Sequence, residues 1–132
     1  MTKAVLEQVN TKIQVRFSDT DMMGHISSLS YASWAEIGRA DFFNASFFDS
    51  IRDSIPWFIM VHLALDFKSE GQFGEEFLLE TRCVELGRKS MSLEQTILAN
   101  GRRVCEIKAV MVAFDRDSRE PLLVPDNWVL GG

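Results

Sequence analysis

Cysteine is scarce in this chain: Cys83 and Cys105 are the only two among 132 residues. Both fall inside runs that alternate like strands, so they read as small reduced core residues and not as a disulfide staple. Histidine is equally sparse, with only His25 and His62, and no Cys or His lies at a spacing that recurs in metal sites. No Gly-x-Ser-x-Gly elbow occurs, which removes the usual mark of a serine-nucleophile hydrolase. The residues call for no metal and no cofactor. Basic charge is in deficit too. A net charge of −5 argues against a nucleic-acid binder, whose footprint is a basic excess or stripe. No window approaches the roughly 20 uncharged apolar residues of a membrane span. Residues 1–7 carry no continuous apolar core of the kind a signal peptide needs. The cytoplasm is therefore the expected compartment, with neither membrane nor nucleic acid as a partner. Repeats, low-complexity tracts and linker-like stretches are missing as well. At 46% hydrophobic, a single domain with one core is expected over residues 1–132.

What the chain does have is alternation. Residues 8–17 put Val9, Thr11, Ile13, Val15 and Phe17 on one face of a first strand. An acidic loop follows, and Ser27 and Ser28 are candidate N-caps for a helix over 29–45. That helix is apolar on most sides, through residues such as Leu29, Tyr31, Trp34, Ile37, Ala40 and Phe42. Glu36 and Arg39, three apart, form one narrow charged edge and are expected to pair. A helix this apolar is expected to be enclosed. Residues 44–53 break the pattern, Pro56 opens a second strand over 57–68, and 69–74 read as a turn. Three long strands follow as a meander over 75–86, 90–99 and 102–114. Asn100-Gly101, between two alternating runs, is a strong hairpin signal. In the last strand Cys105, Ile107, Ala109, Met111 and Ala113 share one face; Val104, Val110, Val112 and Phe114 share the other. The tail, 115–132, reads as mostly irregular. The expected class is α+β: one five-stranded antiparallel sheet wrapped around a long central helix, with outward apolar strand faces covered by pairing subunits.

The most informative stretch joins the first strand to the helix: Arg16-Phe17-Ser18-Asp19-Thr20-Asp21-Met22-Met23-Gly24-His25-Ile26. It sets a carboxylate beside the N-terminus of a buried helix, where unpaired N–H groups and the summed peptide dipoles favour negative charge. A base next to pre-aimed donors is the minimum equipment for attacking a carbonyl. Asp21 is also the residue type of a plain turn acid that bonds local amides. Asp19 reads as a loop anchor. Gly24 permits a backbone angle that Cβ would block, or lets a ligand approach closely. His25 either orients a carbonyl or a water, or satisfies loop carbonyls as a neutral imidazole. Tyr31 reads as a packing residue whose hydroxyl reaches a polar partner, with contact to substrate as the alternative. Arg82, Arg88, Lys89, Arg102 and Arg103 lie in the second half, where a local cluster able to hold a small anion could form; solvated side chains on exposed faces are the plain alternative.

These residues resemble the 4-hydroxybenzoyl-CoA thioesterase-type branch of the hotdog superfamily. The match rests on the Asp19-Thr20-Asp21 and Gly24-His25 pattern, Tyr31 at the helix entry, and Glu36-Ile37-Gly38-Arg39. Leu65-Asp66-Phe67, Gly74-Glu75-Glu76-Phe77, Leu86-Gly87-Arg88-Lys89-Ser90 and Val124-Pro125 follow the family's strand and turn pattern, so the likeness spans roughly residues 8–126. It implies a hotdog fold that forms homodimers or homotetramers and hydrolyses an acyl-CoA thioester at a subunit interface. The implied catalytic carboxylate is Asp21, as general base or nucleophile. The implied carbonyl-polarising group is the backbone N–H of Ser28, with His25 beside it. Gly24, Tyr31, Arg88 and Lys89 are the candidate substrate-binding residues. Other hotdog branches put a catalytic Glu in the helix, which keeps Glu36 as an alternative. A hotdog hydratase or dehydratase, and a non-catalytic acyl-thioester-binding protein, are the competing functions. Coenzyme A and an acyl-carrier protein both remain open as the thiol carrier, and so does the acyl group.

Overall fold

The computed structural model of the chain describes residues 3–47 and 57–131. Seven strands and one long helix follow in the order β1 (Ala4–Leu6), β2 (Val9–Ile13), α1 (Ser28–Phe47), β3 (Trp57–Phe67), β4 (Phe77–Leu86), β5 (Ser90–Ala99), β6 (Arg102–Phe114) and β7 (Trp128–Leu130). Five of the strands form one sheet in the order β2-β4-β5-β6-β3, and every neighbour in it is antiparallel. The helix lies against one face of the sheet, over β2, β4 and β5.

Alternation of apolar with polar residues fixes which face is inward. In β5, Met91, Leu93, Gln95, Ile97 and Ala99 are all buried, and one residue of slip would expose the whole set. Asn100 and Gly101 turn β5 into β6 with φ of 48° and 80°, the double positive φ that the tightest hairpin turns require. In β6 the face of Cys105, Ile107, Ala109 and Ala113 is the buried one, with one addition. A register shift opposite Ile97 and Leu98 leaves Val104 as an extra residue, and it turns inward to complete burial. Cys83 and Cys105 are free and buried; burial pushes both thiols up to about 11.

The helix packs through Tyr31, Trp34, Ala35, Arg39 and Phe42, all buried. Trp34 meets Tyr31 edge-on at 5.5 Å and Phe77 at 5.1 Å between ring centres. Fully burying one such ring contributes about 1.5–3 kcal/mol. Gly38 lets the backbone touch the sheet: a Cβ there would stand 2.8 Å from Thr81 Oγ1 and nearer still to Leu79.

Several expectations need correction. The first strand stops at Ile13, because Asp19 reaches back to accept the Arg16 N–H at 2.8 Å and winds residues 17–19 into a 3₁₀ turn; Phe17 is 80% exposed instead of inward. The helix is not fully enclosed, since Ser33, Glu36, Ile37 and Ala40 form an open stripe. It runs on through 44–47, while 48–56, including Pro56, lie outside the described residues. Glu36 and Arg39 form no ion pair among the described residues; Arg39 turns inward to Gln95. The tail is mostly irregular, as expected, but its three-residue β7 pairs in parallel with β1. Burial of Leu6 and Trp128 against the far end of the core holds these three-residue strands, a tertiary cause with no local periodicity.

Candidate active site

Between β2 and α1 the chain makes a closed turn. Thr20 bridges Ile26, the Asp21 N–H donates to the His25 carbonyl at 2.8 Å, and the Gly24 N–H donates back to the Asp21 carbonyl at 3.2 Å. Gly24 supplies φ +79° at the apex; a Cβ built there meets nothing within 4 Å, so the glycine is required by conformation and leaves open space above it. Inside the turn Asp21 Oδ1 accepts the N–H groups of Met23 at 2.8 Å and His25 at 3.1 Å. The carboxylate is thus fixed through one oxygen, and its second oxygen has no hydrogen-bond partner among the described residues. Asp21 is exposed, and so are Met22, Met23 and Leu29 around it.

The turn is held from two sides. On one, the buried Asp19 carboxylate accepts from the Arg16 N–H, the Arg16 guanidinium and the Ser30 hydroxyl, while its carbonyl accepts the Ser27 N–H at 2.8 Å. Burial alone would raise the Asp19 pKa, yet these hydrogen bonds outweigh it and hold the carboxyl below its ordinary value. Asp19 is the anchor expected from the sequence. On the other side, the segment after β3 receives the turn: the Ile26 N–H donates to the Gly71 carbonyl at 2.9 Å, His25 bridges Gln72, and the Phe73 N–H reaches the Gly24 carbonyl at 3.5 Å. His25 Nε2 lies 3.2 Å from Glu70 Oε2.

The helix then starts on Ser27. Its Oγ accepts the Leu29 N–H at 3.3 Å and its carbonyl accepts the Ser30 N–H at 3.0 Å, so Ser27 is the cap and Ser28 the first helical residue. The Ser28 N–H has no acceptor among the described residues. It stands where the dipole concentrates partial positive charge.

Of the residues singled out in the sequence, Asp21, Gly24, His25 and Ser28 meet at this one end of the molecule. Tyr31 lies directly behind them, buried in the core, with its hydroxyl accepting the Gly71 N–H at 3.1 Å; burial raises its pKa. Arg88 and Lys89 are not brought there. They sit in the β4–β5 turn at the opposite end of β5, about 30 Å away along a ten-residue strand. Their carbonyls tie down Val124 and Ala113, beside a hollow of about 440 Å³ lined by Leu86, Arg88, Leu123, Pro125 and Trp128. Among the described residues the basic side chains are matched by acids: Arg82 pairs with Glu94, Arg102 with Glu75 and Arg103 with Glu106. Glu36 is exposed on the open stripe of the helix. Sequence reading missed Glu70, Gly71, Gln72 and Phe73, which look like an ordinary turn; only the fold sets that turn against residues 24–26. No three His, Cys, Asp or Glu side chains converge as a metal set among the described residues, and no helix there is long and apolar enough to cross a membrane.

Comparison with curated proteins finds no match. Solved structures do match. A predicted thioesterase from Bacillus stearothermophilus superposes with a TM-score of 0.80 at 23% identity, over 95% of this chain and 99% of that one. A thioesterase from Thermus thermophilus, complexed with coenzyme A and Zn, gives 0.78 at 25% identity, over 89% and 86%. The DHNA-CoA thioesterase of Staphylococcus aureus gives 0.76 at 21%, over 89% and 80%. The family model described as the thioesterase-like superfamily matches residues 15–130, which takes in the whole site and every strand of the sheet except β2. By that match the chain belongs to the thioesterase-like superfamily, as a hotdog protein equipped for thioester hydrolysis.

Proposed function

We propose that this chain hydrolyses an acyl-CoA thioester, with Asp21 as general base or nucleophile and the Ser28 N–H polarising the carbonyl. One observation carries the reading. An exposed carboxylate, clamped through a single oxygen by two backbone amides, sits on the turn that runs into the open first amide of α1. A thioester has little resonance stabilisation and a good leaving group, so no strong acid is needed to expel the thiolate. In the base route, water bonds to the carbonyl carbon and gives its proton to the second oxygen of Asp21. Charge moves onto the carbonyl oxygen, where the Ser28 N–H receives it, and collapse breaks the C–S bond. The thiolate then takes up a proton, returning Asp21 to its ionised form. In the nucleophile route, that carboxylate oxygen itself bonds to carbon, thiolate leaves, and water opens the resulting mixed anhydride. A positioned base contributes roughly 10²–10⁴-fold and a single oxyanion donor roughly 10²–10³-fold.

The other residues fall into supporting roles. Gly24 leaves room for the reacting carbonyl, and His25, held by Glu70, orients the carbonyl or the water. Tyr31 acts from behind, through Gly71. Arg88 and Lys89 reach the substrate only from a second copy of the chain. Support for that copy is β3, an eleven-residue edge strand with one side unpaired among the described residues and with Trp57, Ile59 and Val61 about half exposed. Such an edge is a template for another strand. Antiparallel pairing about a two-fold axis sets the basic turn of one copy against the Asp21 end of the other. The substrate is then an anionic acyl-CoA that spans two protomers.

The test is Asp21→Asn, nearly isosteric but far less basic, assayed by thiol release over short, long, branched and aromatic acyl-CoAs. Turnover is expected to fall by roughly 10²–10⁴-fold with the elution volume of the assembly unchanged. Undiminished turnover in the variant overturns the assignment of Asp21.

A further inference from the structure

We propose that Arg102, at the start of β6 and remote from the reacting atoms, is a positioning residue that holds the catalytic turn in register through the segment after β3. The inference rests on the thioesterase reading and names a residue that neither the motif nor the family likeness singles out. Its guanidinium ties together three points of one segment. Nε donates to Ser69 Oγ at 3.3 Å, Nη2 to the Glu70 carbonyl at 2.6 Å, and Nη1 and Nη2 to the two carboxylate oxygens of Glu75 at 3.1 Å each. Glu75 in turn accepts the Gln72 N–H at 2.8 Å. The result is a loop drawn closed around one planar fork.

What that closed loop presents on its other side is the set of groups that receive the catalytic turn. The Gly71 carbonyl takes the Ile26 N–H, the Phe73 N–H reaches the Gly24 carbonyl, and Glu70 Oε2 faces His25 Nε2 at 3.2 Å. The hydrogen bonds inside residues 20–26 fix the shape of that turn. Its placement against the first amide of α1 depends on the two flanking anchors. Asp19 is one of them; the segment held by Arg102 is the other. An error of about 1 Å in such placement costs up to roughly 10²-fold in rate.

Only an arginine makes this clamp. Its flat, rigid fork meets a carboxylate through two parallel bonds while the third nitrogen still donates, and an ammonium, a compact point charge, cannot reproduce that parallel pair. The hydrogen bond from Arg102 is the main cause that holds the Glu75 carboxyl below its ordinary pKa, so the pair stays ionised at neutral pH. The Arg102 side chain is 45% exposed. Exposed ion pairs add little to global stability, so the expected signature is loss of rate without loss of fold.

The experiment compares Arg102→Gln, Arg102→Lys and Arg102→Ala in acyl-CoA thiol release, alongside thermal unfolding and amide hydrogen exchange. Expected for Arg102→Gln is a kcat lower by roughly 10- to 100-fold, with KM and Tm little changed. Arg102→Lys is expected to recover only a minor part, and millimolar guanidinium ion to restore part of the kcat of Arg102→Ala. The Ile26 and Phe73 amides are expected to exchange faster in Arg102→Gln while those of β5 do not. An unchanged kcat overturns the proposal, as does a kcat loss that follows the fall in Tm and resists guanidinium. If the unaltered chain releases no thiol from any acyl-CoA, the thioesterase reading fails instead. The exchange rates of Ile26 and Phe73 then decide the clamp by themselves, unchanged rates overturning it.

Discussion

Arg39 in the middle of the helix donates through Nη1 to Gln95 Oε1 in the central strand at 3.0 Å, and both side chains are buried. Gln95 Nε2 donates to the Ala35 carbonyl at 2.9 Å and to Thr81 Oγ1 at 3.0 Å, so every polar atom of the amide is used. Burial lowers the Arg39 pKa, against an opposing effect of the Glu36 charge. This network pins α1 along the sheet at one position, and a slide of the helix would break all of it together.

The first prediction follows from that arrangement. Gln95→Leu leaves a buried guanidinium without its acceptor and should cost about 3 kcal/mol, because an abandoned charged group loses more than a neutral one. Replacing both partners, Arg39→Met with Gln95→Leu, should cost less than Gln95→Leu alone. Urea unfolding of the two variants provides the comparison, and a double variant less stable than the single one would show that the pair stabilises on balance.

A second prediction isolates the amide of Ser28. Proline is well tolerated at the first position of a helix, and the extended backbone of a capping residue suits the position before it. Ser28→Pro therefore removes the N–H while keeping the helix. It should lower kcat by roughly 10²–10³-fold, whereas Ser28→Ala, which keeps the amide, should leave the rate near that of the unaltered protein. Equal rates for the two variants in thiol release would remove the Ser28 amide from the mechanism.

The third concerns acid. Asp19 has a folded pKa below its ordinary 3.8, so it binds protons less readily folded than unfolded. Its stabilising contribution is complete above that ordinary value and is lost as pH falls through the lowered folded pKa. Asp19→Asn should be destabilised near neutral pH, by about 1–3 kcal/mol. The gap from the unaltered protein should narrow steadily as pH falls below 3.8. Unfolding midpoints taken from neutral to strongly acid pH measure it, and a gap independent of pH would assign the effect to something other than the charge.

Much of this molecule is legible in its sequence. The bounds of β5 and β6 follow to the residue, since ten or more alternating positions ended by Asn100-Gly101 leave one register that buries a face. The turn around Asp21 is visible because its hydrogen bonds are local: Asp21, Gly24 and His25 bond to one another within five residues. Arg39 misleads because three-residue spacing on a helix is equally good for an ion pair with Glu36 and for a side chain turned inward. Gln95 on another strand decides between them. Phe17 misleads because its alternation with Val15 persists in sequence after Asp19 has already bent the backbone.

By itself, then, the sequence determined much of what closes over a few residues: the turn around Asp21, a serine cap at the start of the helix, and the Asn100-Gly101 hairpin between β5 and β6. Backbone dihedrals and short-range hydrogen bonds are encoded where they act. The tertiary structure alone decided that β1 finds β7, that Arg102 clamps the segment on which the Asp21 turn rests, and that Arg88 and Lys89 stand a strand's length from that turn. Those facts depend on which distant segments share a buried surface, and such a surface exists only once the sheet has closed over its helix.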